Sequence, residues 1–485
     1  MAEITPTRDG RAELVSRFPH DGSEVGRVPV ATPADVDRAA ERAAAAMDEP
    51  GWRDLLPHER ARILRAIGDA IEADAARLAD LQTLDCGKPI TEARALVASA
   101  AGTFRFFAAV CETQAGALPP ARGPYLALTH HVPVGVVAAI TPWNSPIASE
   151  AQKIAPALAA GCAVLLKPSE ETPLVAREVA RLAAEAGLPD GLLTVLPGDG
   201  TVGEAVVDHP AVRRVSFTGG TATGRRIAER CAPRFVGVSL ELGGKGPAIV
   251  FPDARRTQAV AGAVYGAFGG AGQACVASSR LLVHRSIVDE FTEQVVDAAR
   301  RLPVGDPRRP ETRVGPLISD AHRAKVLAYV ERAVADGAVV HCGGGPPADP
   351  DLAAGPYVAP TVLSGLPPDH PACTEEIFGP VVTVLPFEDE DDAVRLANAT
   401  AYGLSATVWT GDTPLALRLS RRIRAGTTWV NTTKQLSVAS PFGGEGDSGI
   451  GREKGLAGVR QYQSERSLYL GLDDAPLPFA GLEVS

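Results

Sequence analysis

Cys275 stands in the run GGAGQACVASS, where no bulky apolar side chain precedes Val276. Small residues leave room for a substrate beside a thiol and let backbone N–H groups approach a reacting centre. A helix starting nearby would lower the thiol pKa and favour the thiolate, the nucleophilic form. A lone cysteine is more often inert core than catalyst, so this residue needs support from others. None of the nine histidines lies close to it in sequence, and no Cys/His/Asn signature of a thiol hydrolase is present. Glu241, in LELGGK, is a carboxylate flanked by leucines ahead of two glycines. Burial there would raise its pKa and suit it to general-base work. The competing reading is an ordinary ion pair with Lys245.

A second group of residues suits a dinucleotide. FTGGTATG places Gly219, Gly220 and Gly224 where a strand turns into a helix, whose N-terminus can hold a pyrophosphate. The turn is no GxGxxG, and glycine-rich turns are more often structural than ligand-binding. KPSEE puts Lys167 and Glu170 at another strand end, where a carboxylate can accept hydrogen bonds from ribose hydroxyls. That carboxylate favours NAD, since it would repel a 2′-phosphate, while Lys167 keeps NADP open. The competing reading is a capping turn, SEET.

The elements that position these residues follow from the pattern. HVPVGVVAAI, AVLLKP, LLTVLPG, VRRVSFTG and FVGVSLELGG read as five buried strands separated by helices, among them 147–160 and 173–186. Such alternation gives right-handed βαβ units and a doubly wound parallel sheet. Ligands bind beyond the carboxyl ends of such strands. Before this sheet the chain reads as amphipathic helices, stopped once at Gly87 and Pro89. After it a second α/β series follows, with strands RLLVH, VVTVLPF, SATVWT and TTWVN. The segments YLALTHHVP and QYQSERSLYLG have β character and suggest a protruding ribbon whose edges need a partner. The expected division is a cofactor domain from 1–118 and 134–243, a catalytic domain from 244–447, and an oligomerisation arm from 119–133 and 460–475.

Composition narrows the class. At 485 residues, two or three domains are expected. A net charge of -10 argues against nucleic acid or an anionic membrane surface as partner. The N-terminus lacks a signal-like apolar core, and no apolar run of spanning length stands out. Seven dispersed cysteines without a CxxC pair suggest reduced thiols in a cytoplasmic setting, with no metal site.

Together these segments resemble the aldehyde dehydrogenase superfamily over nearly the whole chain. The resemblance rests on TPWN (141–144), KPSE (167–170), FTGGTATG (217–224), LELGGK (240–245), GQAC (272–275), EEIFGPV (375–381), WVN (429–431) and PFGG (441–444), in the family's order. It implies that Cys275 is the nucleophile, that Asn144 and the Cys275 N–H form an oxyanion hole, and that Glu241 is the base. It further implies that Thr141, Trp143, the 219–224 turn, Leu242 and Gly243 lie along the cofactor. Lys167, Ser169 and Glu170 would hold the adenosine ribose, and Glu376 and Phe378 the nicotinamide end. Lys153 and Asn431 would support the site by hydrogen bonds. Gly220 departs from the family, which usually has serine there, so one contact to the cofactor phosphate is missing. The resemblance also implies a homodimer or a homotetramer built as a dimer of dimers.

By the same resemblance the aldehyde tunnel is lined by Ser145, Ser149, Gln152, Lys434, Leu436 and Phe442, with Ala274 and Val276 beside the thiol. Few aromatics there argue against a quaternary ammonium aldehyde, which needs a cage of rings. A small polar or carboxylated aldehyde fits better, with Lys434 near the entrance. Two alternatives stand beside the hydrolytic reading. A coenzyme A-acylating relative is disfavoured by Glu241, and a non-catalytic relative by the presence of Cys275, Glu241 and Asn144.

Overall fold

The computed structural model describes residues 3–6, 12–353 and 355–473. Five parallel strands form the first sheet, in the spatial order Leu193–Val195, Ala163–Lys167, Val136–Ile140, Val212–Thr218 and Gly237–Glu241. Val136–Ile140 and Ala163–Lys167 are buried at every position, which is why each reads as an unbroken apolar run. The chain reverses direction of winding between Val136–Ile140 and Val212–Thr218. That switch point opens a crevice between the Thr141–Asn144 turn and the Thr218–Gly220 turn. The short strand Gly449–Ile450 returns late in the sequence and adds antiparallel to Gly237–Glu241, with Gly449 opposite Glu241.

The second sheet has seven strands, in the order Val339–Cys342, Thr361–Ser364, Val381–Phe387, Arg280–His284, Pro247–Val250, Ser405–Trp409 and Thr427–Val430. Only Val339–Cys342 runs antiparallel. Pro247–Val250, near its centre, escapes the sequence reading because PAIV is four residues long and wholly buried, with no alternation to mark it. Helix Asp320–Ala335 escapes too: only Val326, Val330 and Ala333 of its sixteen residues are buried, so its apolar stripe is thin. Each sheet has its own apolar core.

The N-terminal part is not wholly helical, as the sequence suggested. Glu3–Pro6, Ala12–Arg17 and Glu24–Pro29 make a three-stranded antiparallel sheet, anchored by buried Leu14, Val15 and Val28 among charged neighbours. The long amphipathic run after it breaks into Pro57–Ala73 and Ala75–Cys86, and Gly87 ends it at φ +71°. Helix Ile90–Cys111 is, among the described residues, the one helix long and apolar enough to cross a membrane, contrary to the sequence reading. Half of that apolar stretch is buried inside the protein, with Val97, Phe104 and Phe107 in the first core. The ribbon forms as expected: Gln463–Gly471 pairs antiparallel with Tyr125–Pro133, and Tyr125 and Tyr469 meet edge to face at 5.4 Å. Residues 474 and 475 of the expected arm lie outside the described residues.

Candidate active site

Cys275 sits between the end of helix Arg256–Phe268 and strand Arg280–His284, in a loop built on left-handed residues. Gly270, Ala271 and Gly272 have φ of +69°, +55° and +71°. A side chain at Gly272 would bring its Cβ within 2.1 Å of the Gly379 carbonyl, so glycine is required there. The loop is held from several sides. Gly270 N–H donates to the Glu92 carboxylate at 2.9 Å, and Ile318 N–H donates to the Gln273 side chain at 2.9 Å. The Asn144 amide donates to the Gln273 carbonyl at 2.9 Å. The Lys434 ammonium caps the preceding helix by donating to the carbonyls of Tyr265 (3.1 Å) and Gly269 (3.2 Å).

No helix starts after Cys275, so the expected lowering of its pKa does not occur. Burial pushes the thiol up to about 12, and the carboxylates of Glu376 and Glu241 push in the same direction, against backbone N–H groups of Val276 and Cys275. A positive charge beside the thiol would favour the thiolate.

Glu241 ends strand Gly237–Glu241 and is 3% exposed, with both carboxylate oxygens lacking a hydrogen-bond partner. The ion pair with Lys245 is not formed; the Lys245 ammonium is itself buried without a partner. Burial raises the Glu241 pKa well above the usual carboxylate range, and Glu453 adds to it, against Lys153, Arg452 and Lys454. The two glycines after it are explained by contact. A Cβ on Gly243 would lie 2.4 Å from a Glu376 oxygen, and one on Gly244 would lie 2.4 Å from the Cys275 carbonyl. LELGGK thus lays the fifth strand end directly against the Cys275 loop. Cys275, Glu241 and Asn144 line one cavity of about 250 Å³, with Trp143, Gly219, Gly220, Leu242, Gly243, Glu376 and Phe378.

A neighbouring cavity of about 430 Å³ shares Pro142, Trp143, Gly219 and Gly220 with the first, and continues past Thr141, Lys167, Ser169 and Glu170. It suits a dinucleotide. The Thr141 hydroxyl is buried there without a hydrogen-bond partner, and the space where a Gly220 side chain would stand is open to 4 Å. Helix Thr221–Cys231 begins at this point and turns its N-terminus to the crevice. Lys167 and Glu170 are paired with each other at 3.0 Å. Gly224 does not line the cavity; it packs on Leu242, where a Cβ would come within 2.5 Å. Where the nicotinamide end is expected, Glu376 accepts the Gly244 N–H at 2.9 Å, and Trp143 meets the Phe378 ring edge to face at 5.3 Å.

The remaining expected residues divide. Lys153, fully buried, bonds Glu453 (2.5 Å) and the Ser216 hydroxyl (3.0 Å) rather than a reactant. Gln152 also bonds Glu453. Ala274, Val276 and Phe442 join Leu404 and Trp429 in an apolar cluster against Cys275. Ser145 and Ser149 are half-buried near the start of helix Pro146–Ala159, and Leu436 is 46% exposed. Asn431 closes a turn with Thr410 through two side-chain bonds and lines neither cavity. Three residues were missed. His322 and Lys325 line the inner cavity from the unforeseen helix Asp320–Ala335, and His322 Nε2 lies 2.7 Å from the Phe378 carbonyl oxygen. Glu453 belongs to SGIGREKG, the segment that ends the resemblance, and its acidity was the available signal.

A doubly wound sheet that delivers a dinucleotide crevice to a cysteine and a buried carboxylate defines a class: NAD-linked oxidation of a carbonyl carbon through sulfur. The chain belongs to the aldehyde dehydrogenase family, whose family model matches residues 6–468. It is an NAD-dependent oxidoreductase acting on aldehydes. A betaine aldehyde dehydrogenase of Rhizobium etli is 41% identical over 480 residues, 98% of this chain and 97% of that protein. The crystal structure of PnpE from Pseudomonas sp. WBC-3 is 40% identical, with a TM-score of 0.93 and 99% of each chain covered. A betaine aldehyde dehydrogenase from Staphylococcus aureus, solved in complex with NAD+, is 36% identical with a TM-score of 0.94, covering 97% of this chain and 94% of that one.

Proposed function

We propose that this enzyme oxidises an aldehyde to the free carboxylic acid through a thioester on Cys275. The observation that carries the reading is the convergence of Cys275, Asn144 and Glu241 on one cavity continuous with the dinucleotide crevice. Thr141, Trp143, Gly219 and Gly220 would hold NAD, with Lys167, Ser169 and Glu170 at its adenosine ribose and Glu376 and Phe378 at its nicotinamide end. Bound there, its pyridinium supplies a two-electron acceptor and a positive charge beside the thiol.

Cys275 releases its thiol proton to solvent and attacks the aldehyde carbon as the thiolate. The alkoxide that forms is held by the second N–H of the Asn144 amide, the first being fixed on Gln273, and by the Cys275 N–H. Loss of the carbonyl C–H bond, with its electron pair leaving to the acceptor, gives the thioester. Glu241, whose basicity is raised by its burial, takes a proton from the water that attacks the thioester, and the acyl–sulfur bond breaks to release the acid and the Cys275 thiolate. Lys153 and Glu453 are a buried pair beneath this base and set its electrostatic surroundings. The Glu170 carboxylate at the ribose favours NAD over NADP.

The first sheet and its helices form the cofactor domain, the second sheet the catalytic domain, and the ribbon an arm. Its two strands pair with no third strand among the described residues, although Thr129 N–H donates to the Ala117 carbonyl at 2.9 Å; the strand Gln463–Gly471 suits pairing with a second copy in a homodimer or a dimer of dimers. Incubation with NAD and a panel of aldehydes, with and without coenzyme A, tests the chemistry. Free acid forming without coenzyme A, and no reduced cofactor from Cys275→Ala, is expected. Acyl-coenzyme A as sole product, or reduction surviving in Cys275→Ala, overturns it.

A further inference from the structure

Beside the Phe442 ring stands a cation that the chemistry above does not use. Lys454 is 9% exposed and stands at φ +61°, ψ 174°, a conformation costly for any residue but glycine. Among the described residues its ammonium has no hydrogen-bond acceptor and no ion pair; it lies 5.8 Å from the centre of the Phe442 ring. The carboxylates around it do not satisfy it. Glu453 is taken by Lys153 and Gln152, and Glu241 has no hydrogen-bond partner on either oxygen. Phe442 belongs to the apolar cluster against which Cys275 packs, so the ammonium and the thiol both border that cluster. Burial lowers the Lys454 pKa, against the charges of Glu453, Cys275 and Glu241. Most of the side chain is buried while the ammonium keeps no partner, so an anionic group that reaches it would gain a charge-assisted hydrogen bond.

Resting on the proposed reaction at Cys275, we propose that Lys454 is the specificity residue for a carboxylate on the substrate, so that the preferred aldehydes are short ω-oxo carboxylates. This moves the role from Lys434, whose ammonium is committed to the carbonyls of Tyr265 and Gly269. It also separates this chain from relatives named for betaine aldehyde, because Lys454 repels a trimethylammonium group.

The test compares kcat/KM for 4-oxobutanoate, butanal and betaine aldehyde in the wild type, Lys454→Met and Lys454→Arg. The wild type is expected to favour the oxo acid over butanal at least tenfold. Lys454→Met lowers that ratio by tenfold or more, and Lys454→Arg keeps most of it. A ratio that stays within threefold in Lys454→Met, or a wild type that favours the cationic aldehyde, overturns the assignment. Should the variants not fold, alkylation of Cys275 in the wild type decides: succinate is expected to protect better than butyrate, and equal protection overturns the assignment. Butanal oxidised with an unmoved ratio defeats only the role of Lys454. No aldehyde oxidised at all defeats the reaction at Cys275 and this inference with it.

Discussion

Replacing Asn144 by alanine separates what its amide does for the fold from what it does for the reaction. In the resting enzyme one of its two N–H groups holds the Gln273 carbonyl at 2.9 Å. That bond is worth about 1 kcal/mol and fixes the loop that carries Cys275. The second N–H is the one that meets the alkoxide. Removing one such donor costs about 2.7–4 kcal/mol of barrier, or roughly a hundredfold to a thousandfold in rate. The two effects appear in different measurements. A rapid-mixing experiment at saturating NAD and aldehyde follows the first turnover, in which cofactor reduction precedes hydrolysis. The burst rate is expected to fall by two to three orders of magnitude, KM to change little, and the melting temperature to drop slightly. Asn144→Asp preserves shape but turns an acceptor toward the Gln273 carbonyl, and should be worse on both counts. A burst rate in Asn144→Ala within fivefold of the wild type refutes the reasoning, since backbone N–H groups would then suffice.

Two other predictions test the surroundings. Glu92→Ala removes the acceptor for Gly270 N–H, a charge-assisted bond worth about 1.5–3 kcal/mol, and should lower kcat about tenfold at little cost in KM. Glu92→Gln retains an acceptor and should recover most of the loss; equal loss in both variants contradicts a positioning role. Stability should fall as pH rises, because burial pushes Asp85 up to about 7 and Glu150 up to about 8, the latter with help from Asp85. Both folded values lie above those of unfolded carboxylates, so the folded state binds more protons between about pH 4 and 8 and loses stability across that range. The slope is about 1.4 kcal/mol per pH unit for each group. Glu150→Gln is expected to flatten the melting temperature between pH 5 and 8, and a curve parallel to the wild type contradicts it.

The cofactor sheet was legible because its strands are short buried runs with helices between them, a pattern that needs no tertiary information. Cys275 and Glu241 were legible as types in unusual neighbourhoods, small residues around one and paired glycines after the other. The reason for those glycines was not legible: Gly243 and Gly244 are demanded by Glu376 and the Cys275 carbonyl, which come from distant segments. Distance in sequence also hid His322, Glu92 and Lys454, each polar and ordinary in its own stretch of chain. Two readings differ from the structure. The condition set for a lowered thiol pKa at Cys275, a helix starting nearby, is not met, since strand Arg280–His284 follows the loop. Lys434 was placed near the tunnel entrance by resemblance alone, whereas its ammonium is held by the carbonyls of Tyr265 and Gly269, far from it in sequence.

The most direct trial of a covalent route is to stop it halfway. Glu241→Gln, mixed with aldehyde and NAD, should reduce close to one cofactor per active site and then stall. Mass spectrometry of the quenched protein should find one acyl group, on the peptide containing Cys275. Sustained turnover by this variant, or a stalled enzyme bearing no acyl group on Cys275, contradicts the account.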